Sequence, residues 1–215
     1  MSRVKVKICG VRTLDEAEAA IEAGADALGF NFWPRSPRYI STVEASRIAK
    51  RLPPLVSLIG VFVNEDRERI KASADQVGLQ AVQLHGDESP LFCKGFGSLR
   101  VIKALRVGKG FECRVIEDYG VSMILLDTSV KGSYGGTGHC FDWQTAIEAK
   151  GFAPVILAGG LRIENVAEAI TAVQPAAVDV CSGIEAEPGK KDLGKLREFM
   201  HEVSRANALL AVGMD

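Results

Sequence analysis

The stretch "VKVKICGVRTLDEAEAAI" (4–21) changes rhythm halfway along. Its first half alternates Val4, Val6 and Ile8 with Lys5, Lys7 and Cys9, the period-two pattern of a strand. Gly10 breaks that run. Beyond it Leu14, Ala17 and Ile21 recur at helical spacing, and Thr13 stands three residues before Glu16, the Ser/Thr-x-x-Glu spacing of a capping box. A strand therefore passes directly into a helix, and the rest of the chain repeats the passage. Further β-branched runs are "ALGFN" (27–31), "VSLIGVFV" (56–63), "AVQL" (81–84), "RVIKAL" (100–105), "SMILLD" (122–127), "PVILA" (154–158) and "AVDV" (177–180). Helical spacing returns at Val43, Ile48 and Leu52 behind a second capping box (Ser41, Glu44). It returns again at Leu161, Val166, Ala169 and Ile170, and at Leu193, Leu196, Phe199, Met200 and Val203. The helix expected over 88–97 is weaker because two glycines interrupt it.

A helix between consecutive strands is the natural crossover of a parallel sheet. Eight such units in 215 residues average about 27 each, close to the minimum for the unit, and this favours a closed (β/α)8 TIM barrel over an open doubly wound sheet. No linker or shift of composition divides the chain. The expectation is an α/β single-domain catalytic barrel over 1–205, with 206–215 ("ANALLAVGMD") as a short C-terminal tail.

Composition narrows the function. Hydrophobic residues make up 47% and charged residues 25%, and 26 basic against 27 acidic residues give a formal net charge of −1 with no basic stripe. That balance argues against nucleic acid and membrane surfaces and for a small-molecule partner. The longest apolar runs are too short to span a bilayer, and the N-terminus enters a strand without a signal-peptide pattern. The five cysteines, at 9, 93, 113, 140 and 181, include no CxxC pair and read as reduced thiols in a cytoplasmic protein.

In a parallel barrel the loops after the strands carry the chemistry. Three groupings are expected on that face. "LAGGL" (157–161) and "DVCSGIE" (179–185) follow strands 7 and 8, where Gly159, Gly160, Ser182 and Gly183 offer close backbone approach and amide N–H groups to a phosphate. Tight βα turns alone also explain these glycines. Cys9 and Asp127 end strands 1 and 6, and if the faces carrying Lys7 with Cys9 and Leu125 with Asp127 point inward, a thiol and a carboxyl meet across the mouth. Lys7 then favours the thiolate. Taken singly, Cys9 also reads as a buried inert thiol and Asp127 as a helix cap. Arg38 in "PRSPRYI" (34–40) has the fork that grips a carboxylate, although a bare surface arginine fits too. His85 and Asp179 are expected, with Lys7, to line the pocket. Three histidines, at 85, 139 and 201, argue against a metal centre.

The ordered set "KICGVRTLDEA", "GADALGFNFWPRSPRYI", "GVFVN", "VQLHG", "LLDT" with "YGGTG" and "FDW", "LAGGL" with "ENV", and "AVDVCSGIE" with "PGKKD" resembles the phosphoribosylanthranilate isomerase family of tryptophan biosynthesis, from about residue 4 to 200. The resemblance implies a cofactor-free Amadori rearrangement of N-(5-phosphoribosyl)anthranilate to the 1-deoxyribulose 5-phosphate product. It assigns Cys9 as general base, Asp127 as general acid, Arg38 to the anthranilate carboxylate, and the loops at 159–160 and 182–183 to the phosphate. No cofactor or metal is implied, and the expected form is a monomer or homodimer. Two departures stand out: His139 and Cys140 follow "YGGTG" where the family more often has lysine and threonine, and Cys181 replaces the usual serine. The rival readings are another phosphosugar isomerase or epimerase of the same fold, a catalytically silent phosphate-binding barrel, and a cysteine hydrolase drawing on His85.

Overall fold

The computed structural model describes residues 3–128 and 142–212. Eight parallel strands close into a barrel in chain order: β1 (Lys5–Cys9), β2 (Ala27–Asn31), β3 (Ser57–Phe62), β4 (Ala81–Leu84), β5 (Arg100–Val107), β6 (Met123–Thr128), β7 (Val155–Leu157) and β8 (Ala177–Val180), with β8 pairing β1. Around them run α1 (Leu14–Glu22), α2 (Thr42–Ala49), α3 (Arg67–Val77), α4 (Pro90–Cys93), α5 (Ile116–Tyr119), α6 (Trp143–Ala149), α7 (Ile163–Val173) and α8 (Leu193–Val212). No described helix is long and apolar enough to cross a membrane.

The strand alternation sorts side chains into two layers. Outward residues such as Ile8, Leu28, Leu84, Leu126 and Val178 pack under the helices. Inward residues are smaller, among them Ala27, Ala81, Ala104, Ala158 and Ala177, and they leave the barrel interior room for polar groups. Gly29 shows how tight the fit is. A Cβ there would lie 3.1 Å from the Cys9 Sγ and 3.1 Å from the Lys7 Cε, so the glycine makes the space that β1 fills with a thiol and a lysine. Both predicted capping boxes form, at Thr13 with Glu16 and Ser41 with Glu44.

Three features differ from the sequence expectation. The helix expected over 88–97 shrinks to the four residues Pro90–Cys93, because Gly95 and Gly97 end it and Gly97 takes a positive φ of 61°. A hairpin not foreseen, β9 (Glu185–Glu187) with β10 (Lys190–Lys191), follows β8. The supposed tail from 206 is helical as far as Val212: Ala206 is buried, and the Asn207 side chain accepts from the Val4 N–H at 2.8 Å and donates to the Val4 carbonyl at 3.1 Å. Alanine and leucine favour helix, and the amide caps the edge of β1. The segment "YGGTG" with His139 and Cys140 lies outside the described residues.

Truncation after Arg205 therefore strips two hydrogen bonds from Val4, the residue that leads into β1. Urea unfolding is expected to show a loss of about 2–4 kcal/mol, the sum for two buried backbone groups left without partners. Unchanged stability would restore the tail reading.

Candidate active site

The C-terminal ends of the strands surround a pocket lined by Cys9, Asn31, Trp33, Arg38, Gln83, His85, Asp127, Gly159, Gly160, Asp179, Cys181 and Ser182, with further apolar contacts. A larger groove of about 710 Å³ opens at the opposite end, lined by Lys5, Lys7, Asp26, Ser57, Arg100 and the inward Ala27, Ala81 and Ala177 among others. In this architecture the strand C-termini carry the chemistry, and among the described residues Cys9, Cys181, Asp127 and the Gly159–Gly160 loop converge there.

Lys7, expected to line this pocket, is not among its lining residues and borders the groove at the opposite end instead. It sits one layer down, 2% exposed, with its Nζ 2.7 Å from the Asp179 Oδ1. Lys7 and Asp179 are direct partners in the β1–β8 register. Burial lowers the proton affinity of an ammonium, but Asp179 and Cys9 outweigh it and hold Lys7 above its usual value. The lysine is a fixed positive charge beneath the sulfur of Cys9.

Cys9 is buried and lines the pocket together with Cys181, whose Sγ lies 3.7 Å from the Glu185 Oε1. The neighbouring Cys181 thiol, followed by burial, pushes the Cys9 thiol well up, while Lys7 pulls the other way. Cys181 is drawn down to about 7 by its neighbour Cys9 and by the cations Lys191 and Arg38, against its own burial. The two thiols therefore behave as one titrating unit that loses its first proton near neutrality. The Lys191 Nζ lies 3.7 Å from the Cys181 Sγ and 3.2 Å from the Glu185 Oε1. Its backbone N–H donates to Glu16 at 3.0 Å, so the carboxylate of the α1 capping box also anchors the hairpin.

Across the mouth, Asp127 is 4% exposed. Its Oδ1 accepts from the Thr128 N–H at 2.8 Å, and its Oδ2 faces the His85 Nε2 at 3.2 Å. The Gln83 Nε2 donates to the His85 Nδ1 at 2.8 Å, which leaves the hydrogen on Nε2 directed at the carboxylate. Gln83 Oε1 has no hydrogen-bond partner. Turning that amide over reverses the chain: Oε1 then accepts from Nδ1–H, and Nε2 accepts from a protonated Asp127. His85 is held at this height by Lys103, which donates to the carbonyls of Leu84 and Gly86 at 3.1 and 2.8 Å and pairs with Glu88 at 2.7 Å.

Arg38 reaches the pocket rim, but its fork is already engaged. Nε and Nη2 donate to the two oxygens of Glu185 at 3.0 and 2.8 Å. Burial raises the Glu185 carboxyl, and Arg38 and Lys191 together outweigh it and hold it below its usual range. Nη1 remains to meet a ligand. The loop behind it is braced by Asn31, whose side chain accepts from Trp33 N–H and donates to Ser36, and by Ser36 accepting from Arg38 N–H.

The two glycine loops sit side by side as expected. Gly159 and Gly160 both take positive φ, 76° and 73°, a conformation that turns their backbone into the pocket and that side chains resist. Ser182 lines the pocket beside them. Gly183 stands behind the rim: a Cβ there would fall 2.0 Å from the Leu161 carbonyl, so its hydrogen lets the two loops touch. Among the described residues, no group of three or more His, Cys, Asp or Glu side chains is placed to hold a metal ion.

Sequence reasoning missed Gln83, Trp33, Glu185 and Lys191. Gln83 was within reach, since it shares a strand face with His85 two residues on. The pairing of Glu185 with Arg38 spans 147 positions and carries no local signal.

Residues 6–202 match the family described as N-(5'phosphoribosyl)anthranilate (PRA) isomerase. The N-(5'-phosphoribosyl)anthranilate isomerase of Geobacter sp. (strain M21) is 50% identical over 201 residues, covering 94% of this chain and 98% of that one. That of Magnetococcus marinus is 45% identical over 203 residues, covering 94% and 96%. The crystal structure of phosphoribosyl anthranilate isomerase from Thermotoga maritima superposes with a TM-score of 0.88 at 44% identity over 94% of this chain and 99% of that one. A phosphoribosyl anthranilate isomerase in complex with reduced 1-(o-carboxyphenylamino)-1-deoxyribulose 5-phosphate superposes with a TM-score of 0.85 at 43% identity, with the same coverage. The matching fold, the full-length coverage and the ordered strand-end motifs agree, and the chain belongs to the phosphoribosylanthranilate isomerase family.

Proposed function

We propose that this chain rearranges N-(5-phosphoribosyl)anthranilate to 1-(2-carboxyphenylamino)-1-deoxyribulose 5-phosphate by acid–base catalysis, without a cofactor, in the cytoplasm. The observation that carries the reading is the placement of a thiol and a carboxyl on opposite walls of one pocket whose rim holds two positive-φ glycines. The phosphate rests on the amides of Gly159, Gly160 and Ser182, beside the start of α7, with Gly183 keeping the loops together. The anthranilate carboxylate meets the free edge of Arg38, which Glu185 holds in place.

Asp127 then faces the furanose oxygen and donates a proton to it, opening the ring to a Schiff base. The reversible Gln83–His85 chain supports both of its protonation states. Cys9, on the far wall, removes the proton from C2′, and the enolamine that results tautomerises to the ketone. For that step the pair of thiols must already have lost one proton, and the remaining proton must sit on Cys181. Lys7 below stabilises the sulfur that has lost it.

Anthranilate fluorescence reports the reaction, because emission of the substrate made in situ falls as it is consumed. Cys9→Ser and Asp127→Asn are each expected to lower kcat by about 10²–10⁴-fold, the range for a positioned acid or base, while still binding a product analogue. Full activity in either variant removes that residue from the mechanism, and steady emission with the folded parent protein removes the function.

The thiol pair also sets a pH limb. The competent form has lost a proton that leaves at about 7, so kcat/KM is expected to fall about tenfold per pH unit below that point and to level off above it. A flat profile from pH 5 to 8 contradicts a thiolate base.

A further inference from the structure

Cys9 and Cys181 are more than neighbours at a rim. β1 and β8 pair Lys7 with Asp179 and Ile8 with Val180, so the next step along both strands brings Cys9 opposite Cys181. Adjacent strands run about 4.8 Å apart, inside the Cα separation of about 4.4–6.8 Å that a disulfide spans. Both thiols line the pocket, and Cys181 is only half-buried. Two cations serve Cys181, Lys191 at 3.7 Å and Arg38 nearby; the one carboxylate beside its sulfur, Glu185 at 3.7 Å, is paired with both of them, and Asp179 is paired with Lys7. An electropositive, reachable setting of this kind makes a thiol reactive. Cys93 and Cys113 are the contrast: both are buried and burial pushes both thiols up.

We propose that Cys181 is an oxidative modification site for hydrogen peroxide and that Cys9 is its resolving thiol, so that peroxide closes a Cys9–Cys181 disulfide across the β1–β8 seam. The Cys181 sulfur, as thiolate, attacks one peroxide oxygen. The O–O bond breaks, and the departing hydroxide takes a proton to become water, leaving a sulfenic acid. Cys9 then gives up its proton and attacks the sulfenic sulfur; the S–O bond breaks and a second water leaves. Two thiols and one peroxide become one disulfide and two waters. A dithiol reductant reverses the bond by exchange. The consequence for turnover rests on Cys9 being the base proposed above; the chemistry of the pair does not.

The test exposes the full chain to a few equivalents of hydrogen peroxide, then blocks remaining thiols and maps peptides by mass spectrometry while turnover is followed by fluorescence. The expected result is a linked Cys9–Cys181 peptide lighter by two hydrogens, with turnover falling in step and returning with dithiothreitol. Cys181→Ser and, as a second variant, Cys181→Ala are expected to keep most of their own starting turnover over the same exposure. The proposal is overturned if Cys9 and Cys181 stay alkylatable while other cysteines react, if Cys181 goes to sulfinic acid without the link, or if both variants lose turnover as fast as the parent. A linked peptide with turnover intact upholds the modification site and refutes the assignment of Cys9 as base.

Discussion

An ion pair inside the barrel, Lys7 on β1 with Asp179 on β8 at 2.7 Å, underlies the site. Removing either partner strands a buried charge, at a loss of about 3–5 kcal/mol, whereas together they satisfy each other at the seam where the first strand meets the last. That pairing fixes the register of β1 against β8 and therefore the height at which the next residues emerge. Two residues on from Lys7 comes Cys9, and two on from Asp179 comes Cys181, with Ser182 next. The ends of the chain thus supply one wall of the pocket, and β4 with β6 supplies the other through His85 and Asp127.

A second shell of paired charges surrounds this wall. Arg38, Glu185 and Lys191 form a chain that ends at the Cys181 sulfur, so the loop after β2, the hairpin after β8 and the helix α1 are tied to one another through Glu16. The arrangement gives the arginine a single orientation and places positive charge where a thiolate is needed. Arg38 is held on this side by Glu185, and Glu185 in turn by Lys191, so the arginine meets a ligand already oriented.

Much of this was legible in the sequence because a strand has period two. Once Val6 and Ile8 are assigned outward, Lys7 and Cys9 must point inward, and the same step on "MILLD" turns Asp127 toward them. Three of the eight strands, "ALGFN", "AVQL" and "AVDV", run over the residues expected. Partnerships between distant residues were not legible. Arg38 reads as a free grip until Glu185 is seen across from it, and Lys7 reads as lining the pocket until its length carries it sideways to Asp179. The misread tail has another cause: "ANALLAV" carries little helical periodicity, but its intrinsic helix preference and the Asn207 bonds to Val4 hold it in α8. Cys181 reads only as a departure from the family's serine, and its place beside Cys9 in the pocket depends on barrel closure, which no local pattern displays.

A crystal structure of the full chain bound to reduced 1-(2-carboxyphenylamino)-1-deoxyribulose 5-phosphate tests the arrangement most directly. The account predicts the phosphate on the amides of Gly159, Gly160 and Ser182, and the sugar chain held between the two walls with the Cys9 sulfur and an Asp127 oxygen each about 3–3.5 Å from it, on opposite sides. A phosphate bound elsewhere, or both groups on the same side of the sugar, contradicts it.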